Sequence, residues 1–228
     1  MAMISDNILR LKDNIAHICQ KLNRRLEDIT IVGITKYSDI KEIQQSLACG
    51  LNHIGESKVQ QAVEKYPHLV GATKHMVGHL QTNKVKAAVE IFDVIQSVDS
   101  YRLAQAINEQ CVKQNRQMQI FIQVNTAQEK QKFGCLSEEV FDLLKQISAL
   151  KNIHVAGLMT IAPLTEDALI VRDCFKKLRD LYQRIHEDFA HFQNIQMKFL
   201  SMGMSDDYAI ALEEGANMLR IGRNIFLS

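Results

Sequence analysis

Ile29-Thr30-Ile31-Val32-Gly33-Ile34-Thr35-Lys36 is the stretch on which the fold turns. Its first seven residues carry no charge and show no polar alternation. Such a run reads as a strand buried on both faces, the kind found in parallel sheets. At its end it delivers a single lysine, Lys36.

Similar short apolar runs recur along the chain, at residues 52–54, 75–77, 94–98, 119–124, 153–158, 197–200 and 218–221. With residues 29–35 they make about eight strands. Helical patterns fill the gaps. Asp39 opens one as a plausible cap and Gly50 closes it. Ser100 opens another, with Leu103, Ala104, Ile107 and Cys111 on one face. Ser137 starts a third, which continues through Val140, Leu143, Leu144 and Ile147. The longest runs over residues 167–192. Alternation of this kind favours α/β architecture with right-handed crossovers. A chain of 228 residues suits a single (β/α)8 barrel over residues 1–228. Residues 1–25 hold an extra amphipathic helix, at 4–22, expected to pack outside the barrel. An open doubly wound sheet is the alternative, disfavoured because no Gly-x-Gly-x-x-Gly turn follows any strand.

Composition narrows the function. A net charge of +1, with acidic and basic residues interleaved, offers no electrostatic case for nucleic acid or an acidic membrane. Five scattered cysteines, Cys19, Cys49, Cys111, Cys135 and Cys174, suit a reducing compartment better than a disulfide framework or a zinc site. The first residues have no signal-like core, and no apolar run approaches the roughly 20 residues of a membrane span. A cytoplasmic protein is expected.

In a barrel the C-terminal end of each strand opens onto the functional face. Lys36 sits at such an end, where partial desolvation would free its amine for attack on a carbonyl. Ser201-Met202-Gly203-Met204-Ser205 follows strand seven, and Arg220-Ile221-Gly222-Arg223 closes strand eight. Loops after strands seven and eight of a barrel commonly hold phosphate. Gly203 would allow backbone to approach an anion, and Asp206 and Asp207 begin a helix behind it. Arg220 would be costly inside a barrel without a ligand or a buried carboxylate. Lysine, two small-residue turns and a late arginine together suggest a pyridoxal phosphate site. The lysine would form the imine, the turns would hold phosphate and the arginine would face the ring nitrogen. Met159 and Thr160, at the end of strand six, could line the pocket, although a methionine there is more often core. His79 reads as structural, and Glu56 as a cap for the helix after it.

Further matching segments are His53-Ile54-Gly55-Glu56, Gly78-His79-Leu80-Gln81-Thr82-Asn83-Lys84, Ser97-Val98-Asp99-Ser100, Gln123-Val124-Asn125 and Gly157-Leu158-Met159-Thr160-Ile161. With Val32 to Lys36 and the two C-terminal motifs, they span almost the whole chain in order. On these residues the chain resembles the YggS/PROSC family of pyridoxal phosphate homeostasis proteins. The resemblance implies a barrel similar to the N-terminal domain of alanine racemase, with pyridoxal phosphate held as an imine on Lys36. It implies that Arg220 meets the pyridine nitrogen, and that Ser201, Gly222 and Arg223 hold the phosphate. Two departures stand out. Ser57-Lys58 replaces the family's Asn-Tyr, and Arg223 replaces a threonine after Arg-Ile-Gly, so a hydroxyl contact to phosphate is lost while the backbone N–H remains.

Two functions compete: a carrier of the cofactor within the cell, and a pyridoxal phosphate enzyme such as an amino-acid racemase. Only seven residues follow Ile221, so no second domain carrying an opposing base is expected, and a monomer is expected with it. Arg220, always protonated, would leave the ring nitrogen unprotonated and weaken its power to stabilise a carbanion. The carrier is therefore the expected function, with free amino acids and apo-forms of pyridoxal phosphate enzymes as its candidate partners.

Overall fold

Each apolar run becomes a parallel strand, and the eight strands close into a barrel in sequential order. The computed structural model describes residues 2–129 and 131–227. The strands are β1 (Thr30–Ile34), β2 (His53–Glu56), β3 (Thr73–Met76), β4 (Val94–Val98), β5 (Met118–Gln123), β6 (Ile153–Met159), β7 (Ile195–Ser201) and β8 (Met218–Ile221). Closure comes from β8 pairing with β1, which sets Val32 opposite Arg220 and Gly33 opposite Ile221. Most boundaries shift by one or two residues from the apolar runs, and two of these shifts have a clear cause. β2 continues to Glu56, whose carboxylate is buried, and β3 starts at Thr73, where backbone pairing to His53 outweighs side-chain polarity.

The helices are α1 (Ala2–Lys21), α2 (Ile40–Ala48), α3 (Val59–Lys65), α4 (Val85–Ile91), α5 (Tyr101–Lys113), α6 (Val140–Ile147), α7 (Ala168–Asp188), α8 (Tyr208–Glu213) and α9 (Arg223–Phe226). In α1 the residues Ile4, Ile8, Leu11, Ile15 and Cys19 are buried, one stripe at helical spacing. That stripe packs against α2, α8 and α9, outside the strands. The Asn7 side chain donates to the Ile225 carbonyl at 3.2 Å and ties α1 to α9. Ser137 opens a short 3-10 turn rather than α6 itself, because the Glu139 carboxylate turns back to accept from the Leu136 amide at 2.8 Å.

Asp39 caps α2 as its sequence suggests. Its carboxylate accepts from the Glu42 amide at 2.8 Å, and the Glu42 carboxylate accepts from the Asp39 amide at 2.8 Å. Asp39→Ala removes the acceptor of the Glu42 amide and leaves the Glu42 carboxylate on the residue-39 amide, so chemical denaturation should show a loss of about 1 kcal/mol. An unchanged midpoint would mean that water satisfies this helix end equally well.

Two cores result. The larger lies between strands and helices. The smaller fills the barrel with Val32, Val94, Phe121, Ala156, Met159 and Met218. Buried polar residues stand beside it: His75, Gln96, Ser201 and Arg220. All five cysteines are free thiols. Among the described residues no helix is long and apolar enough to cross a membrane.

Candidate functional site

At the C-terminal end of β1 the chain turns sharply, with the Ser38 amide donating to the Thr35 carbonyl at 3.1 Å. Lys36 occupies the turn. It is half-buried, and its Nζ stands 4.8 Å from the centre of the exposed Tyr37 ring. A hydrogen bond from Lys36, and then its charge, pull the Tyr37 phenol below its ordinary pKa. Behind the turn lies a polar support. The Thr35 hydroxyl contacts the Glu56 carboxylate and the Tyr66 hydroxyl, each at 3.2 Å. The Lys65 ammonium donates to the Thr35 carbonyl at 2.8 Å and pairs with Glu56 at 3.5 Å. Burial pushes the Tyr66 phenol far up, so it stays a neutral hydroxyl. Glu56 therefore braces the residue preceding Lys36. It does not cap α3, whose N-cap is Lys58 with no side-chain bond.

Arg220 reaches the same end of the barrel from β8. It is 4% exposed, and its guanidinium donates to the Ser201 hydroxyl and the Thr160 carbonyl, both at 2.7 Å. Both acceptors are neutral, so this buried cation is held by dipoles. Burial lowers its pKa to about 10, and the charge of Asp207 acts in the opposite direction. The guanidinium stays charged at neutral pH.

Lys36 and Arg220 line one cavity of about 220 Å³, together with Ser38, Ser205, Gly222 and Arg223. Ile34 and Phe226 supply apolar wall. Ser38 is 4% exposed, and among the described residues its Oγ finds no hydrogen-bond partner. A buried hydroxyl left without a partner is costly and calls for a polar ligand. The amide of Asn224, in the first turn of α9, lies 3.4 Å from the Ser205 Oγ. Larger depressions exist, one of about 480 Å³ at the opposite end of the barrel around Thr73, Asp93 and Arg116. None of its lining residues is a lysine at a C-terminal strand end.

The remaining sequence-predicted residues are distributed around this cavity. Gly222 and Arg223 line it, and the Arg223 guanidinium pairs with Asp206 at the surface. Ser201 is fully buried and lies beneath Arg220, its hydroxyl donating to the Gln96 side-chain carbonyl at 2.7 Å. Gly203 adopts φ +92, and a Cβ there would meet the Ala211 Cβ at 2.6 Å. Its carbonyl accepts from the Arg220 amide at 3.0 Å, so it shapes the turn and positions β8. Met159 is fully buried among the apolar residues inside the barrel. His79 stacks on Phe133 with ring centres 3.9 Å apart, as a structural contact. The sequence alone points to no role for Ser38, and to Ser205 only as the end of the Ser201–Ser205 turn. Their signal was a small hydroxyl residue within two positions of a lysine or a turn glycine.

Residues 10–228 match the family described as alanine racemase, N-terminal domain. A pyridoxal phosphate homeostasis protein of Aquifex aeolicus is 34% identical, over 97% of this chain and 96% of the relative. Another, of Pasteurella multocida, is 32% identical over 98% of this chain and 96% of its own. The chain belongs to the pyridoxal phosphate homeostasis protein family. Among solved structures of similar shape is PipY of Synechococcus elongatus with pyridoxal phosphate bound, at TM-score 0.85 and 28% identity. The match covers 98% of this chain and 99% of PipY. An alanine racemase of Clostridium difficile shares the fold at TM-score 0.74 and 18% identity, over 96% of this chain and 55% of the racemase. Members of the homeostasis family named here carry the name of a homeostasis protein, not of an enzyme.

Proposed function

We propose that this protein binds pyridoxal 5'-phosphate in the cavity between β1 and β8 and holds it for the cell's cofactor pool. One observation carries the reading: a lysine amine, a buried guanidinium and a buried, partnerless hydroxyl converge on one cavity. The bound PipY relative supports it. Lys36 would take the aldehyde, its amine displacing one water to leave a C=N bond. Arg220 would meet the ring nitrogen. Ser205, Gly222 and Arg223 would hold the phosphate, with Ser201, Gly203 and Met159 fixing the walls behind. Free thiols throughout support a reducing, cytoplasmic setting. We further propose that the protein acts as a monomer, and that free amino acids and apo-enzymes receive the cofactor.

When bound, the cofactor supplies an aldehyde for amines and a ring that can draw off electrons. Arg220 limits the second capacity. A guanidinium only donates, so it keeps the facing nitrogen without a proton, and an unprotonated ring withdraws electrons poorly. Lys36 retains the first capacity, because exchange with an incoming amine needs only an open mouth and a free amino group. The test is a spectral titration of the loaded protein with alanine, beside an assay of exchange at the amino acid's α-proton. A spectral shift with no exchange is expected. Exchange on the order of 10 per second, as enzymes show, would make this a racemase or related enzyme instead.

Gly222 offers a second test. A Cβ there would lie 3.4 Å from the Ile34 Cβ, an ordinary contact, so Gly222→Ala should fold and bind. Gly222→Phe would fill the cavity and should weaken cofactor binding by about 3 kcal/mol. Equal affinity for both variants would move the phosphate elsewhere.

A further inference from the structure

A line of hydrogen bonds runs through the barrel from Arg220 to the opposite end. Arg220 Nη1 lies 2.7 Å from Ser201 Oγ, and Ser201 Oγ lies 2.7 Å from Gln96 Oε1. Gln96 Nε2 lies 2.9 Å from His75 Nδ1, and His75 Nε2 lies 3.0 Å from His53 Nδ1. His53 is the first residue of β2, so the line ends where that strand enters the barrel. Five strands contribute one residue each: β8, β7, β4, β3 and β2.

The sense of every link follows from the first. A guanidinium has no acceptor, so the Ser201 oxygen must accept from Arg220. The single serine proton then points to Gln96, which accepts through its carbonyl oxygen. That orientation turns the amide nitrogen of Gln96 toward His75 and toward the Met218 sulfur, 3.2 Å away, so both of its protons are used. His75 Nδ1 must then be an acceptor and Nε2 must carry the proton. Nε2–H donates to His53 Nδ1, which must be unprotonated. Burial holds His75 neutral, with a pKa near 3, and lowers that of His53 as well.

We propose that Ser201, Gln96, His75 and His53 form a one-way relay that positions the Arg220 guanidinium for the cofactor's ring nitrogen, with Gln96 and His75 as positioning residues. The inference rests on the reading of Arg220 given above. Without the relay the Ser201 hydroxyl could rotate and offer its proton toward Arg220. Two donors would then meet, and the guanidinium would swing from its place. With it, the serine oxygen always faces Arg220, and the planar fork stays aimed between Ser201 and Thr160 into the cavity.

The test uses nitrogen-15 NMR of the free protein and of the protein loaded with pyridoxal phosphate labelled at the ring nitrogen. In the free wild-type protein His75 should carry its proton on Nε2 alone. Gln96→Glu keeps the shape but removes the amide donor, so the proton should move to His75 Nδ1, and the labelled ring nitrogen should shift as Arg220 is drawn toward the carboxylate. Ser201→Ala is a smaller change, should the buried carboxylate prevent folding. It frees the Gln96 amide to rotate and should give His75 a mixture of tautomers. It should also speed solvent exchange of the Arg220 guanidinium protons about tenfold, as loss of a charged hydrogen bond does. A wild-type Nδ1–H tautomer, or an Nε2–H tautomer unmoved in both variants, would overturn the relay. A ring-nitrogen resonance unmoved by Gln96→Glu would overturn its positioning role. A wild-type chain that does not bind pyridoxal phosphate would sink the proposed function, and the His75 tautomer would still judge the relay.

Discussion

Lys36→Ala is expected to lose covalent attachment of pyridoxal phosphate and to bind it about 100-fold more weakly, a change of about 2.7 kcal/mol. Binding should persist at high cofactor concentration. Arg220, Ser205, Gly222 and the partnerless Ser38 hydroxyl all remain in the cavity. The variant's spectrum should match the free aldehyde. Borohydride treatment of the wild-type protein, followed by peptide mass mapping, should place the pyridoxyl group on Lys36, and the same treatment should leave the variant unlabelled. The turn around Lys36 is held by the Thr35–Ser38 backbone bond and by Lys65 beneath it, so the substitution should not disturb the fold. Labelling confined to another lysine would sink the assignment of Lys36.

Acid should destabilise the protein well before its carboxylates titrate. His75 is 1% exposed, and its pKa falls from 6.5 to about 3, first through burial and then through His53. In the unfolded chain the imidazole binds a proton below about pH 6.5. The folded protein does not, so stability is full above that value and drains away as pH falls toward 3. The slope approaches about 1.4 kcal/mol per pH unit and sums to about 2.5 kcal/mol between pH 6 and pH 4. His53 adds to the effect, its pKa also being lowered by burial. Asp207 acts in the other direction, since burial raises its pKa and the folded state then gains a proton first. Urea titrations at half-unit steps should show the slope. His75→Gln, which cannot titrate, should remove about one proton's share of it. Identical slopes in both proteins would assign acid sensitivity to other groups.

The barrel was legible because its strands are buried on both faces. Runs such as Val94–Val98, buried at every position, leave little else to be. Strand ends were less legible, since at Thr73 and Glu56 backbone pairing and a buried polar network decide the boundary. Within the site, Lys36, Arg220, Gly222 and Arg223 meet at one cavity because β1 and β8 are neighbours, and chain order alone carries that information. Ser201 and Gly203 belong to the same motif yet lie behind the cavity. A motif names a turn, but the direction of each side chain within it depends on packing. The polar relay left no local trace. Gln96 lies beside Ser97 within a strand buried at every position, and its partner Ser201 is 105 residues away.

The joining of α1 to α9 bears on how the protein comes into being. A ribosome releases the N-terminus first, yet α1 completes its seat only when α8 and α9 follow α2, where Asn7 meets Ile225. β1 likewise waits for β8, and the cavity wall at Gly222 and Arg223 emerges long after Lys36. Nascent chains therefore carry Lys36 long before the pocket around it exists. On the function proposed above, cofactor capture waits until β8 has closed the barrel on β1.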